Sequence, residues 1–202
     1  MNNAFKLAAA VGLATLVSGC GGSSTGEETS SYVSLSTSAL AMADPYVDSD
    51  GNLKDGVVAR TDVPVVGSAN YAGYIGGELT PAGGGDAAGI VGELALNANF
   101  GTGVVTGSAT NFQHETDGAY TGTLTADGTS AISFGGTNLD EDTLGATLSG
   151  TLSNGGTNYA TDIALDGVFI GGVGAAAPDA VAGYADGTVG TAILLGAFVA
   201  EQ

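Results

Sequence analysis

The chain has 202 residues, enough for one domain with appendages, and 44% of them are hydrophobic, so a core can be built. Against 21 acidic residues stand only Lys6, Lys54 and Arg60, for a net charge of −18, and no basic patch for nucleic acid can be assembled from three cations. One Cys and one His exclude an internal disulfide framework, a Cys-based zinc site and any multi-His metal site.

Residues 1–20 read as an address. A polar start carries Lys6, and an apolar run of 11 residues follows from Leu7 to Val17. Such a run is too short to cross a bilayer as a helix but suits the core of a signal peptide. Val17-Ser18-Gly19-Cys20 resembles the bacterial lipobox, in which small residues precede a Cys that is acylated and becomes the new N-terminus. The alternative is an ordinary secretory signal with an incidental Cys. The only Cys in the chain stands where the motif needs it, and Gly21 to Glu28 has the composition of a flexible tether. The expected organisation is a lipoprotein signal peptide at 1–19, a tether at 20–30, an irregular segment at 31–64 and a β-barrel at 65–202. Several acyl chains on Cys20 would give stable anchoring, each buried methylene contributing about 0.8 kcal/mol.

Within the irregular segment, Ser31 to Ala43 suits a short strand or a helix, and periodicity does not separate them. Asp44 to Gly56 is rich in turn residues. There Asp48, Asp50 and Asn52 alternate as oxygen ligands do at the start of a calcium loop. A full loop would also require Gly at 53 and Glu at 59; the chain has Leu53 and Ala59, so a solvated turn is the plainer reading.

From Asn70 onward the apolar period is 2. Leu94, Leu96, Ala98 and Phe100 alternate with Glu93, Ala95, Asn97 and Asn99. Similar runs cover 120–126, 144–152 and 163–169, the last with Asp162 and Asp166 on the wet face. Each is a strand with one dry face. Gly101-Thr102-Gly103, Asp127-Gly128, Asn154-Gly155-Gly156 and Asp186-Gly187 read as turns, and a helical interlude is expected at most near Ala175–Ala180.

Eight or nine short strands make an all-β antiparallel meander. Such a sheet must close or split into two. Gly107, Gly122, Gly136, Gly150 and Gly167 fall on apolar faces, where they permit sharp coiling, so a single antiparallel eight-stranded β-barrel is favoured over a β-sandwich. Closure brings Leu94, Leu96, Phe100, Leu124, Phe134, Leu148, Leu152, Leu165 and Phe169 together inside.

The order of several pieces carries a family resemblance. They are Tyr71-Ala72-Gly73-Tyr74-Ile75-Gly76-Gly77, then Leu94 to Phe100 with Gly101 to Gly107, then Leu148-Ser149-Gly150-Thr151-Leu152. Asp166-Gly167-Val168-Phe169-Ile170-Gly171 leads to Pro178 through Tyr184, and Leu195-Gly196-Ala197-Phe198-Val199 closes the series. Residues 65–202 thus resemble the β-barrel domain of transferrin-binding protein B and its relatives, which include factor-H-binding-protein-like lipoproteins and secreted haemophilins. Transferrin-binding members are longer, with two lobes and handle domains, and family barrels are rich in Lys, whereas this chain has none after Lys54.

The resemblance implies a surface lipoprotein of the cell outer membrane. Its barrel loops would take a host or environmental protein, a metal carrier or a small ligand. In haem-carrying relatives a His is an axial ligand, which singles out His114, expected in an exposed loop, with Tyr46 or Met42 as partners. The acids keep a small barrel soluble or collect a cationic partner; Asp140-Glu141-Asp142 reads as a charged loop tip. No catalytic constellation stands out, so the chain is read as non-enzymatic, without a resident metal. A structural envelope-surface lipoprotein without a dedicated ligand is the other reading.

Overall fold

The period-2 pattern becomes a closed wall. The structure, a computed structural model, describes residues 31–48, 52–135, 141–172, 174 and 176–202. The signal peptide, Cys20, the tether, Asp50 and Gly136 lie outside these residues. One helix and nine strands are described: α1 (Ser31–Ala43), β1 (Ser68–Thr80), β2 (Ala88–Asn99), β3 (Val104–His114), β4 (Gly118–Ala126), β5 (Ala131–Ser133), β6 (Thr143–Asn154), β7 (Thr157–Ile170), β8 (Ala180–Val189) and β9 (Ala192–Glu201).

Every neighbouring pair is antiparallel. β1, β2, β3, β4, β6, β7, β8 and β9 form an eight-stranded meander, and β9 returns to pair with β1 from Ala72↔Glu201 to Thr80↔Ile193. Closure removes the free edges that an open sheet would present to other chains. The short β5 continues the line of β4, pairing with β3 at Val104 and with the start of β6.

The expected interior forms with one exception. Leu94, Leu96, Phe100, Leu124, Leu148, Leu152, Leu165 and Phe169 are all buried in one cluster with Tyr71, Ile75 and Phe198. Phe134 is 41% exposed instead. Alternation does point it inward after Ile132, but β5 ends at Ser133 and the chain leaves the wall. Gly135 then donates its N–H to Asp142, and the Phe134 ring rests over Gly103 at the rim.

Two glycines show how the wall bends. Gly183 pairs with Gly167, and a Cβ on Gly183 would stand 2.0 Å from the Asp166 carbonyl oxygen. A Cβ on Gly167 would meet the Phe198 ring at 2.6 Å. Only bare backbone allows β7 and β8 to approach so closely while an aromatic ring covers the gap.

The Gly155-Gly156 turn joins β6 to β7 with φ of 56° and 80°, as a tight hairpin requires. Asp186-Gly187, read as a turn, lies inside β8 instead. The chain reverses at Gly190-Thr191, between Val189 and Ala192. A positive φ of 61° at Gly190 marks this turn, and a Gly-Thr pair is a quieter signal than Asp-Gly.

Ser31 to Ala43 is a helix. Tyr32, Leu35, Ser36, Ala39, Met42 and Ala43 are its half-buried positions, spaced three and four apart. This face lies across the outside of β9, β1, β2, β3 and β4. Met42 and Ala43 join a second, outer cluster with Val168, Ala182 and Val199.

Residues 59–63, expected in the irregular segment, close one end of the barrel. Val63 enters the core, and Arg60 donates its backbone N–H to the Phe169 carbonyl. The Arg60 guanidinium is 5% exposed; it bonds Asp62 and the carbonyls of Gly171, Gly174 and Ala176. Gly171, Gly174 and Ala176 are thereby clipped to the end of the barrel.

Candidate functional site

His114 does not sit in an exposed loop. It ends β3, is 7% exposed, and its ring lies 5.8 Å from that of Tyr120, which in turn lies 5.4 Å from Tyr159. The hairpin from His114 to Gly118 folds back on the imidazole. Nδ1 accepts the backbone N–H groups of Asp117 at 3.1 Å and Thr116 at 3.4 Å. Burial, then the Asp117 carboxylate, pushes the Tyr120 hydroxyl up to about 12.

This arrangement does not fit an axial haem ligand. Two amide donors on Nδ1 place the neutral ring's proton on Nε2. Iron ligation through Nε2 needs the opposite tautomer, with the proton on Nδ1 given to an acceptor. The suggested partners are elsewhere. Tyr46 donates its hydroxyl to Glu201, at the far end of β9, and Met42 packs on the outer wall. The cluster is a turn lock built around a histidine.

Of two acidic readings, that of Asp142 changes and that of Asp48 in a turn stands. Asp142 is 3% exposed, not a loop tip; its two oxygens accept the N–H groups of Val63 at 2.8 Å and Gly135 at 2.7 Å. It ties the barrel-closing segment to the β5–β6 connection. Asp48 accepts the N–H of Asn52 at 2.9 Å, beside a bridge between Val47 and Leu53, so its carboxylate holds a turn. Among the described residues no group of three or more His, Cys, Asp or Glu could hold a metal ion.

A concavity lies on the outer wall, where residues 127–130 interrupt the line from β4 to β5. Asp127 organises the interruption. Its Oδ1 accepts the N–H of Thr129 at 3.0 Å, the Thr129 hydroxyl at 2.8 Å and the Ser130 hydroxyl at 3.1 Å. These bonds, the Thr129 hydroxyl foremost, hold the Asp127 carboxyl below its ordinary range. Ser130 Oγ in turn accepts the N–H of Thr147 at 3.1 Å.

Beside this loop lies an open hollow of about 400 Å³ over β5, β6 and β7. Thr129, Ser133, Thr143 and Thr147 contribute hydroxyls, and Asp166 contributes the carboxylate. Gly145 and Ala164 contribute almost no side chain, which leaves the hollow open. Sequence reading placed Asp127-Gly128 in a turn and Asp166 on a wet face, but gave no sign that they would border one depression. Tyr184 stands opposite Asp166 in the β7–β8 ladder.

These features define a closed eight-stranded antiparallel barrel with a filled interior. No family model, curated protein or solved structure matches the chain. Among the described residues no helix is long and apolar enough to cross a membrane.

Proposed function

We propose that this chain is a bacterial outer-membrane lipoprotein, anchored through acylated Cys20, whose barrel is a non-enzymatic binding module at the cell surface. The observation that carries this reading is the lone Cys at the end of Val17-Ser18-Gly19-Cys20, behind a signal-like apolar run and ahead of a tether-like segment. Cleavage there removes Lys6 and no acid, leaving Lys54 and Arg60 against all 21 carboxylates. Lys54 is paired with Asp44 at 2.9 Å and Arg60 is buried, so the exposed charge is almost wholly negative. Such a surface favours neutral or cationic partners over anionic ones. The motif order shared with transferrin-binding-protein-like barrels supports capture of a host or environmental molecule.

The filled interior favours recognition on the outside of the barrel. It is also compatible with a structural envelope lipoprotein that has no ligand. Labelled palmitate fed to bacteria making the full chain should enter the protein, and Cys20→Ala should abolish the label. Absence of label, or label that survives Cys20→Ala, refutes the anchor. Pull-downs from plasma and culture medium separate the two roles: a reproducible partner supports binding, and repeated blanks support the structural reading.

A further inference from the structure

We propose that the outer-wall hollow over β5, β6 and β7 binds a neutral saccharide unit. The proposal rests on the reading of the barrel as a binding module and names the class of ligand. The side chains around the hollow are short hydroxyls: Ser133, Thr143 and Thr147 both donate and accept, while Thr129, whose proton goes to Asp127, accepts. The exposed carboxylate of Asp166 accepts from a ligand hydroxyl and gives the site direction. Gly145, Ala131 and Ala164 form a low apolar patch, against which the C–H face of a sugar ring can lie.

Other ligand classes fit less well. An anion would face the field of a chain with net charge −18 and find no cation at the site. A hard metal ion takes six or more oxygens, usually with several carboxylates, and the hollow offers the single carboxylate of Asp166. A volume of about 400 Å³ lies in the range of small-molecule sites and accommodates a hexose with water.

The rim is also set before a ligand arrives. Asp127 fixes Thr129 and Ser130, and Ser130 is tied to the backbone of Thr147 on β6. An open site whose polar groups need no rearrangement suits a weak ligand that gains strength from repetition along a glycan chain.

The test is amide NMR on the 15N-labelled chain carrying Cys20→Ser, which blocks lipidation. Methyl glucoside, methyl galactoside and N-acetylglucosamine are titrated separately to about 50 mM, a range suited to millimolar dissociation constants. The expected result is saturable shifts confined to the amides of Thr129, Gly145, Thr147, Ala164 and Asp166 with at least one sugar. Gly145→Val should abolish them, because its side chain fills the hollow.

That variant should fold normally, since a Cβ at Gly145 meets only the Ala131 carbonyl oxygen at 3.8 Å. An unchanged denaturation midpoint checks this. Asp166→Asn should weaken binding by about fivefold, as loss of a charge-assisted hydrogen bond does. The proposal is overturned if no sugar shifts these amides, or if the shifts persist in Gly145→Val. It is also overturned if arginine amide or calcium shifts them and no sugar does, although a binding role would then survive. Palmitate labelling and pull-down test that role independently.

Discussion

Replacing Phe169 with Ala removes a ring that is fully buried and wedged between Tyr71, at 6.3 Å between centroids, and Phe100, at 5.8 Å. Large-to-small changes at such sites cost about 3–5 kcal/mol, because lost burial and a residual cavity add together. Aromatic contacts contribute about 0.5–1.5 kcal/mol each beyond burial, which places this site in the upper half of that range. The cavity has little room to collapse: the Phe169 carbonyl is held by the Arg60 N–H, and the residue is paired with Val181 in the β7–β8 ladder.

With a urea slope of about 2 kcal/mol per molar, the midpoint should fall by roughly 2 M. Thr123→Ala is the matched control. Thr123 is exposed and faces Thr151 across β4 and β6, a pair whose loss costs well under about 1 kcal/mol. Urea unfolding of both variants, followed by circular dichroism, reads the difference. Equal midpoints would refute the assignment of faces, and with it the barrel interior described here.

Arg60→Met should lower stability by about 1–3 kcal/mol, because three loop carbonyls lose their donor, and limited proteolysis should then cut within 171–179 faster than in the wild type. Gly183→Ala should cost about 1–3 kcal/mol or more, since its Cβ would strike backbone across the ladder, while Gly145→Ala, whose Cβ makes only an ordinary contact with the Ala131 carbonyl oxygen at 3.8 Å, should leave the midpoint unchanged; matched thermal melts compare them. Absorbance at alkaline pH should show Tyr46 and Tyr120 ionising near 12, well above an ordinary phenol. Burial is the leading cause at both, and it favours the neutral form. The associated stability is therefore full below about pH 10 and is lost as pH rises toward 12, so Tyr120→Phe should flatten that alkaline loss. If all seven tyrosines titrate together near 10 in the folded protein, the burial described for these two is wrong.

The sequence by itself determined the strand periodicity, the turns at Gly101 and Gly155, and eight of the nine residues expected inside the barrel. Period 2 is local, and it assigns a face wherever a strand is continuous. Phe134 was misplaced because alternation does not reveal where a strand stops. Asp186-Gly187 misled because a favourable turn pair can still be held inside a ladder when β7 and β9 pair on both sides of it. The helix at Ser31–Ala43 needed the outer wall to choose between two periods that its composition allowed.

The rest was decided by contacts between residues far apart in the chain. Arg60 clips a loop more than 110 positions away, and Asp142 bonds Val63 from 79 positions away. The hollow arises only when the 127–130 interruption is laid beside Asp166 of β7. Local pattern records which face of a strand is dry, but not which strands lie side by side. Closure of the barrel supplies that neighbourhood, and so the tertiary structure alone turned separate hydroxyls and one carboxylate into a candidate site.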